Sequence, residues 1–122
     1  MIRLRHGVPA GLLGLTLAFG TACSKSTMSP TTTNGTPVSI VRGATVLTTT
    51  AYSPNPITVA VGATITWTNN DTTSHTSTGV NAVWDSGSIA PGASFSRTFP
   101  TAGTFSYLCT IHPNMVGTVT VQ

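Results

Sequence analysis

Cys109, His112 and Met115 follow one another at three-residue intervals near the end of the chain, and His75 stands alone upstream. A thiol, two imidazoles and a thioether are ligands for a soft metal. Thiolate and thioether favour Cu(I), imidazole tolerates Cu(II), and two His with one Cys and a weak axial Met is the arrangement by which copper carries single electrons. Taken singly, each residue has a plainer explanation: a lone Cys is commonly a small buried hydrophobe and a lone Met fills a core. The combination argues otherwise. Residues 38–122 hold only two His, one Cys and one Met, and all four fall where one copper ion would need them. Pro113 stiffens the loop that turns His112 and Met115 back toward Cys109, because its ring fixes φ.

Such ligands must be positioned by strands. From residue 38 onward Val, Ile and Thr dominate short runs broken by Gly, Pro and Asn, with no sustained helical period. The expected strands are 38–41, 45–50, 57–61, 64–68, 75–78, 94–99, 103–108 and 117–121. Asn55-Pro56, Ala90-Pro91-Gly92 and Ala102-Gly103 mark turns. Seven or eight short strands at this spacing predict an all-β Greek-key sandwich or barrel. Alternation places Phe105, Tyr107 and Cys109 on one inward face, with Thr104 and Ser106 on the other. The sulfur then sits at the edge of the core, out of bulk water. The same count groups Arg97 with Phe95 and Phe99. An inward charge is costly, so an edge strand or a bulge is expected there. Trp67, Trp84, Phe95, Phe99, Phe105 and Tyr107 read first as core.

The front of the chain predicts where the domain works. Arg3 and Arg5 precede an almost wholly small or apolar run over 10–22. This is the pattern of a secretory signal and is too short for the roughly 20 apolar residues of a membrane span. Small residues before Cys23 look like a bacterial lipoprotein cleavage site, with Gly20 standing where Leu is usual. The expectation is a leader over 1–22, lipidation at Cys23, and a lipid-anchored linker over 23–37. Of the fourteen residues 24–37, ten are Ser, Thr or Pro, which cannot bury a core. That tether would span about 20 Å on average and roughly 45 Å stretched. The placement is exported, in the bacterial cell envelope: periplasmic and held to the membrane by lipid. Cys109 is then the domain's own cysteine.

The 85 residues 38–122 make one small domain. The formal net charge of the chain is +3, but Arg3, Arg5 and Lys25 lie outside this domain, which balances Arg42 and Arg97 against Asp71 and Asp85. No basic patch for nucleic acid results, and steering of partners by charge should be weak. Two acidic residues and no Ser-His-Asp grouping leave little for acid–base or nucleophilic catalysis, so no enzyme is expected.

In its ligand loop, and in several ordered stretches from about Tyr52 to Val121, the chain resembles the small blue copper proteins, the cupredoxins. The stretches are Ile57-Thr58-Val59, Gly62 to Asn69, His75, Asp85-Ser86-Gly87, Ala90-Pro91-Gly92, Gly103 to Tyr107 and Gly117 to Val121. The short Cys-x-x-His-x-x-Met spacing is similar to that of amicyanin; plastocyanin carries a longer gap. The resemblance implies one type 1 copper held by His75, Cys109, His112 and Met115, and single-electron carriage between redox proteins that dock near His112. It also implies that the backbone N–H of Thr76 donates to the Cys109 sulfur and that the Thr76 hydroxyl lies near Thr110. It further implies that Asn69 and Asp71 organise the loop before His75 by side-chain-to-backbone bonds. In plastocyanin a Tyr directly before the Cys ligand lies on a docking surface; here that residue is Leu108, which puts a second port of that kind in doubt. A monomer is expected. The alternatives are a periplasmic copper buffer or chaperone, and a metal-free surface scaffold.

Overall fold

A computed structural model describes residues 35–122. The proposed leader, Cys23 and the linker up to residue 34 lie outside the described residues. Eight strands form two four-stranded sheets. The first sheet has the order β2 (Tyr52–Ser53), β1 (Thr36–Ile40), β4 (Thr64–Asn69), β6 (Ser94–Thr98), with β1 and β4 parallel. The second has the order β3 (Ile57–Val59), β8 (Val116–Val121), β7 (Gly103–Leu108), β5 (Thr78–Gly79), with β3 and β8 parallel. The architecture is the all-β one that the alternating pattern predicts.

Alternation decides what the sheets enclose. Along β4 every second residue, Ile65, Trp67 and Asn69, is fully buried. The opposite face carries Thr64, Thr66 and Thr68, whose hydroxyls hydrogen-bond across the ladder to Thr98, Ser96 and Ser94 at 2.7–2.8 Å. Trp67 sits at the centre of the aromatic core. It lies 5.5 Å from Tyr107 edge-to-face, and 6.0–6.4 Å from Phe95, Trp84 and Phe99. Fully buried aromatics of this size dominate the energetics of so small a domain.

Arg97 follows from its strand. β6 is the edge of its sheet, and Arg97 pairs with inward-facing Ile65. Its guanidinium lies over the rings of Trp84 and Phe99, at 5.1 and 5.4 Å from their centroids. The half-buried charge is therefore stabilised by aromatic faces, not turned away by a bulge.

Several strand boundaries differ from the sequence reading. Residues 45–50 are not a strand: Ala44–Val46 forms a turn of 3-10 helix and the chain then turns toward β2. The reason is that Val46, Thr48, Thr49 and Thr50 are all exposed, so the β-branched residues there bury no face. The chain is extended through β2 instead, where Tyr52 is buried. β1 begins at Thr36, inside the stretch assigned to the linker, because it pairs in register with Ile65 on β4. His75 makes only an isolated bridge to Ile89, and β5 is confined to Thr78–Gly79.

Burial of the core tyrosines makes stability pH-dependent at the alkaline end. Desolvation pushes the Tyr107 phenol up to about 12. It raises Tyr52 further, with the neighbouring Cys109 thiolate adding to the effect. Unfolded phenols ionise near pH 10. Groups whose pKa is higher in the folded state contribute fully below pH ~10, and that contribution is lost as pH rises toward 12. Urea melts should therefore be level from about pH 8 to 10 and lose midpoint above it. Equal midpoints at pH ~8 and ~11.5 would contradict this.

Candidate metal centre

The centre is built at one end of the sandwich, where β7 runs out and a seven-residue loop leads into β8. Cys109 continues the inward face of Tyr107 and is fully buried. The loop is closed by its own backbone: Cys109 N–H donates to the Met115 carbonyl and Met115 N–H to the His112 carbonyl, both at 3.0 Å. That closure leaves Met115 fully buried and His112 half-buried between exposed Ile111 and Pro113. A further bond, from Val116 N–H to the Thr48 carbonyl at 3.4 Å, ties the 44–50 segment to the same end.

His75 reaches the loop from across the molecule. Two backbone bonds to Ile89, at 2.8 and 3.2 Å, pin its main chain, and its side chain is fully buried. His75 Nδ1 lies 3.2 Å from His112 Nδ1. Cys109 Sγ lies 3.8 Å from the first and 3.9 Å from the second. A point in their plane equidistant from the three atoms is about 2.1 Å from each, close to the nitrogen (~2.0–2.1 Å) and sulfur (~2.3 Å) bond lengths of protein-bound zinc, a divalent ion of copper's size. Two unsaturated nitrogens and a thiol facing a space of that size fit a metal. With Met115 the residues form a type 1 copper-like site.

The surrounding bonds converge on Thr76. Its N–H donates to Cys109 Sγ at 3.3 Å, and its carbonyl accepts from Tyr52 OH at 2.6 Å. Its hydroxyl accepts from Thr110 N–H at 2.9 Å and lies 3.2 Å from the Thr110 hydroxyl. Asn69, fully buried, donates to the Thr73 and Ile89 carbonyls at 2.7 and 2.8 Å and accepts from Asp71 N–H at 2.9 Å. These bonds hold the loop that delivers His75.

Asp71 does more than organise that loop. Its Oδ1 accepts from Gly43 N–H and Thr72 N–H, at 3.0 and 2.8 Å. Its Oδ2 meets the Thr73 hydroxyl at 3.2 Å and His75 Nε2 at 2.9 Å. The Gly43 amide, and then His75, hold the carboxyl well below the usual carboxylate range. Sequence reasoning missed the contact with the imidazole. The one available signal was an Asp four residues before a candidate ligand.

A model of the copper binding proteins of the plastocyanin/azurin family matches residues 41–122, which includes every ligand. The chain belongs to this family. The plastocyanin of Scenedesmus fuscus is 35% identical over 89 residues, covering 58% of this chain and 86% of the relative. The chloroplastic plastocyanin of Tetradesmus obliquus is 37% identical over 89 residues, with 58% of each chain covered. Among solved structures, a purple cupredoxin from Nitrosopumilus maritimus superposes with a TM-score of 0.67 at 33% identity, covering 71% of this chain and 99% of that one. A reduced amicyanin variant gives 0.62 at 29% identity, covering 73% and 83%. The cupredoxin fold thus accounts for the sandwich, and copper is the metal that the family binds.

Proposed function

We propose that this cupredoxin carries single electrons between redox proteins outside the cytoplasm, its copper cycling between Cu(II) and Cu(I). The observation that supports this most is the triangle of His75 Nδ1, His112 Nδ1 and Cys109 Sγ, which all lie within 4.8 Å of one another. Ligands fixed by a buried scaffold do not rearrange when an electron moves, so little reorganisation opposes transfer. His75, Cys109 and His112 would hold the copper, with the buried Met115 thioether as a fourth, weaker ligand. The one N–H that Thr76 gives to the sulfur draws electron density from the thiolate, and Thr110 and Asn69 keep that N–H and His75 in place.

His112 is the proposed port. It is half-buried in the ligand loop, and Ile111, Pro113, Val116 and Val46 expose apolar surface at the same end. Described charges balance at two Arg and two Asp, so apolar contact rather than charge would guide docking. We place the protein in a bacterial envelope, as a monomer tethered by lipid on Cys23 through a linker that ends where β1 begins at Thr36. A buffer or chaperone reading is not favoured: His75, Cys109 and Met115 are fully buried, a poor arrangement for handing copper on.

Copper(II) added to the metal-free protein should produce an intense thiolate-to-copper visible band at one equivalent, with a matching EPR signal. Voltammetry of the loaded protein should give a reversible one-electron wave. Binding without that wave would leave a copper buffer, and no binding would leave a scaffold.

A further inference from the structure

We propose that Asp71 is a positioning residue for the copper. Its carboxylate forces His75 into the tautomer that offers Nδ1 to the metal, and its charge biases the site toward Cu(II). The potential half of this proposal rests on the electron-carrier reading above; the tautomer half does not.

The argument begins with hydrogen-bond inventory. An ionised carboxylate only accepts, and a neutral imidazole carries one N–H. Asp71 Oδ2 lies 2.9 Å from His75 Nε2, so the proton belongs on Nε2 and the lone pair on Nδ1. Nδ1 is the atom that faces Cys109 Sγ and His112 Nδ1. The Thr73 hydroxyl fits this scheme. It donates to Oδ2 at 3.2 Å, and its lone pair lies 3.2 Å from the same Nε2. Metal-ligating His characteristically gives its other N–H to such an acceptor, which orients the ring and raises its basicity.

The far side of the carboxylate is equally committed. Oδ1 takes the Gly43 and Thr72 N–H groups, so the carboxylate is surrounded by four donors and cannot be replaced by an amide without conflict. In Asp71→Asn, an Asn whose oxygen keeps the two backbone N–H groups turns its NH2 on His75 Nε2. That asks for the other tautomer, with the proton on Nδ1 where the metal must bind. The flipped Asn serves His75 but sets its NH2 against two backbone N–H donors. Either way the isosteric change breaks the site's accounting.

Charge gives the second consequence. Asp71 is 7% exposed and in contact with a ligand. With the Cys109 thiolate it supplies two negative charges, which Cu(II) neutralises and Cu(I) leaves one in excess. Desolvation makes that excess matter, so the carboxylate stabilises the oxidised form.

The test has two arms. Long-range proton–nitrogen NMR on the metal-free protein should find His75 with Nε2 protonated and Nδ1 bare; the opposite tautomer would overturn the proposal whatever the protein does with copper. In Asp71→Asn, competition titrations should show Cu(II) affinity reduced about 10–100-fold, the range typical for losing an outer partner. Cu(I) affinity should fall less, by a margin of about tenfold, which is a potential raised by ~59 mV for one electron. Asp85→Asn removes the same charge from an exposed residue that bridges to Thr78 and touches no ligand, and should leave the potential near wild type. Unchanged affinities and potential in Asp71→Asn, or an equal shift in Asp85→Asn, would refute the positioning role. A wild-type protein with the expected tautomer but no one-electron wave would instead count against the electron-carrier reading alone.

Discussion

Cys109→Ser is expected to abolish the intense visible absorption of the copper-loaded protein while leaving the fold in place. The band requires charge transfer from a thiolate, and Cys109 is the single thiol among the described residues. An alcohol at that position is neutral and hard, so it is a poor ligand for either oxidation state of copper. Affinity should fall by more than the roughly 10–100-fold that follows loss of an outer partner, because a direct ligand is gone. The fold should survive because Ser nearly matches Cys in size and its oxygen can take the N–H that Thr76 now gives to sulfur. Leaving a hydroxyl in a fully buried position costs about 1–3 kcal/mol at most. Visible spectra, copper titration and a thermal melt of the metal-free variant read all three effects. A band that persisted would remove Cys109 from the site, and a collapsed metal-free protein would show that the thiol is structural.

Gly117→Ala should be the most damaging small substitution in the framework. Gly117 faces Tyr107 across the β7–β8 ladder, and the ring lies flat over the space where a side chain would be. A Cβ there would overlap Tyr107 Cζ and approach Cε1 and the hydroxyl oxygen to 2.5 Å. The ring has nowhere to go. Tyr107 is 1% exposed, packed against Tyr52 at 4.8 Å and Trp67 at 5.5 Å. Expelling a buried aromatic costs about 3–5 kcal/mol, a large part of the 5–15 kcal/mol typical of a domain. At roughly 4–8 °C per kcal/mol for this size, the melting temperature should drop by more than about 12 °C. Tyr107→Ala should cost a similar amount, and the double variant should cost clearly less than the two together, since both remove one contact. A Gly117→Ala protein that melted within a degree or two of wild type would show that the ring has another resting place.

The two substitutions bracket what the core does for the metal. Cys109, just past the end of β7, continues the inward row of Tyr107, so the packing that Gly117 permits also sets where the sulfur begins. Gly79 has a comparable role under Trp84, where a Cβ would come within 2.5–2.8 Å of Val83 and the indole ring. Aromatic rings pressed on glycines are thus how an 88-residue described domain fills its interior.

Much of this was readable in the chain because the pattern is local. The strand over 103–108 has the same limits in sequence and structure, since Gly103 opens it and strict alternation runs to Cys109. The ligand loop was readable because residue type restricts metal chemistry severely, and three of the four ligands lie within seven residues. The segment 45–50 misled because β-branched residues signal a strand only when one face is buried, and burial is not a local property. Arg97 was correctly confined to an edge, but its partners, Trp84 and Phe99, arrive from other parts of the chain. Asp71 was read as a loop former, because whether its second oxygen meets a ring depends on how the loop folds back from Asn69.

The residue types and their spacing alone determined that one soft-metal site of two His, one Cys and one Met exists, and that alternating strands must carry it. Tertiary structure decided the rest. Only packing of the two sheets brings His75 to within 3.2 Å of His112 across 37 positions. Only then does Thr76 N–H meet the sulfur and Asp71 meet His75. The reason is physical. Ligand chemistry is a property of side chains and survives in the one-dimensional pattern. Ligand distance, tautomer and desolvation depend on contacts between distant segments, and these come into being when the core closes.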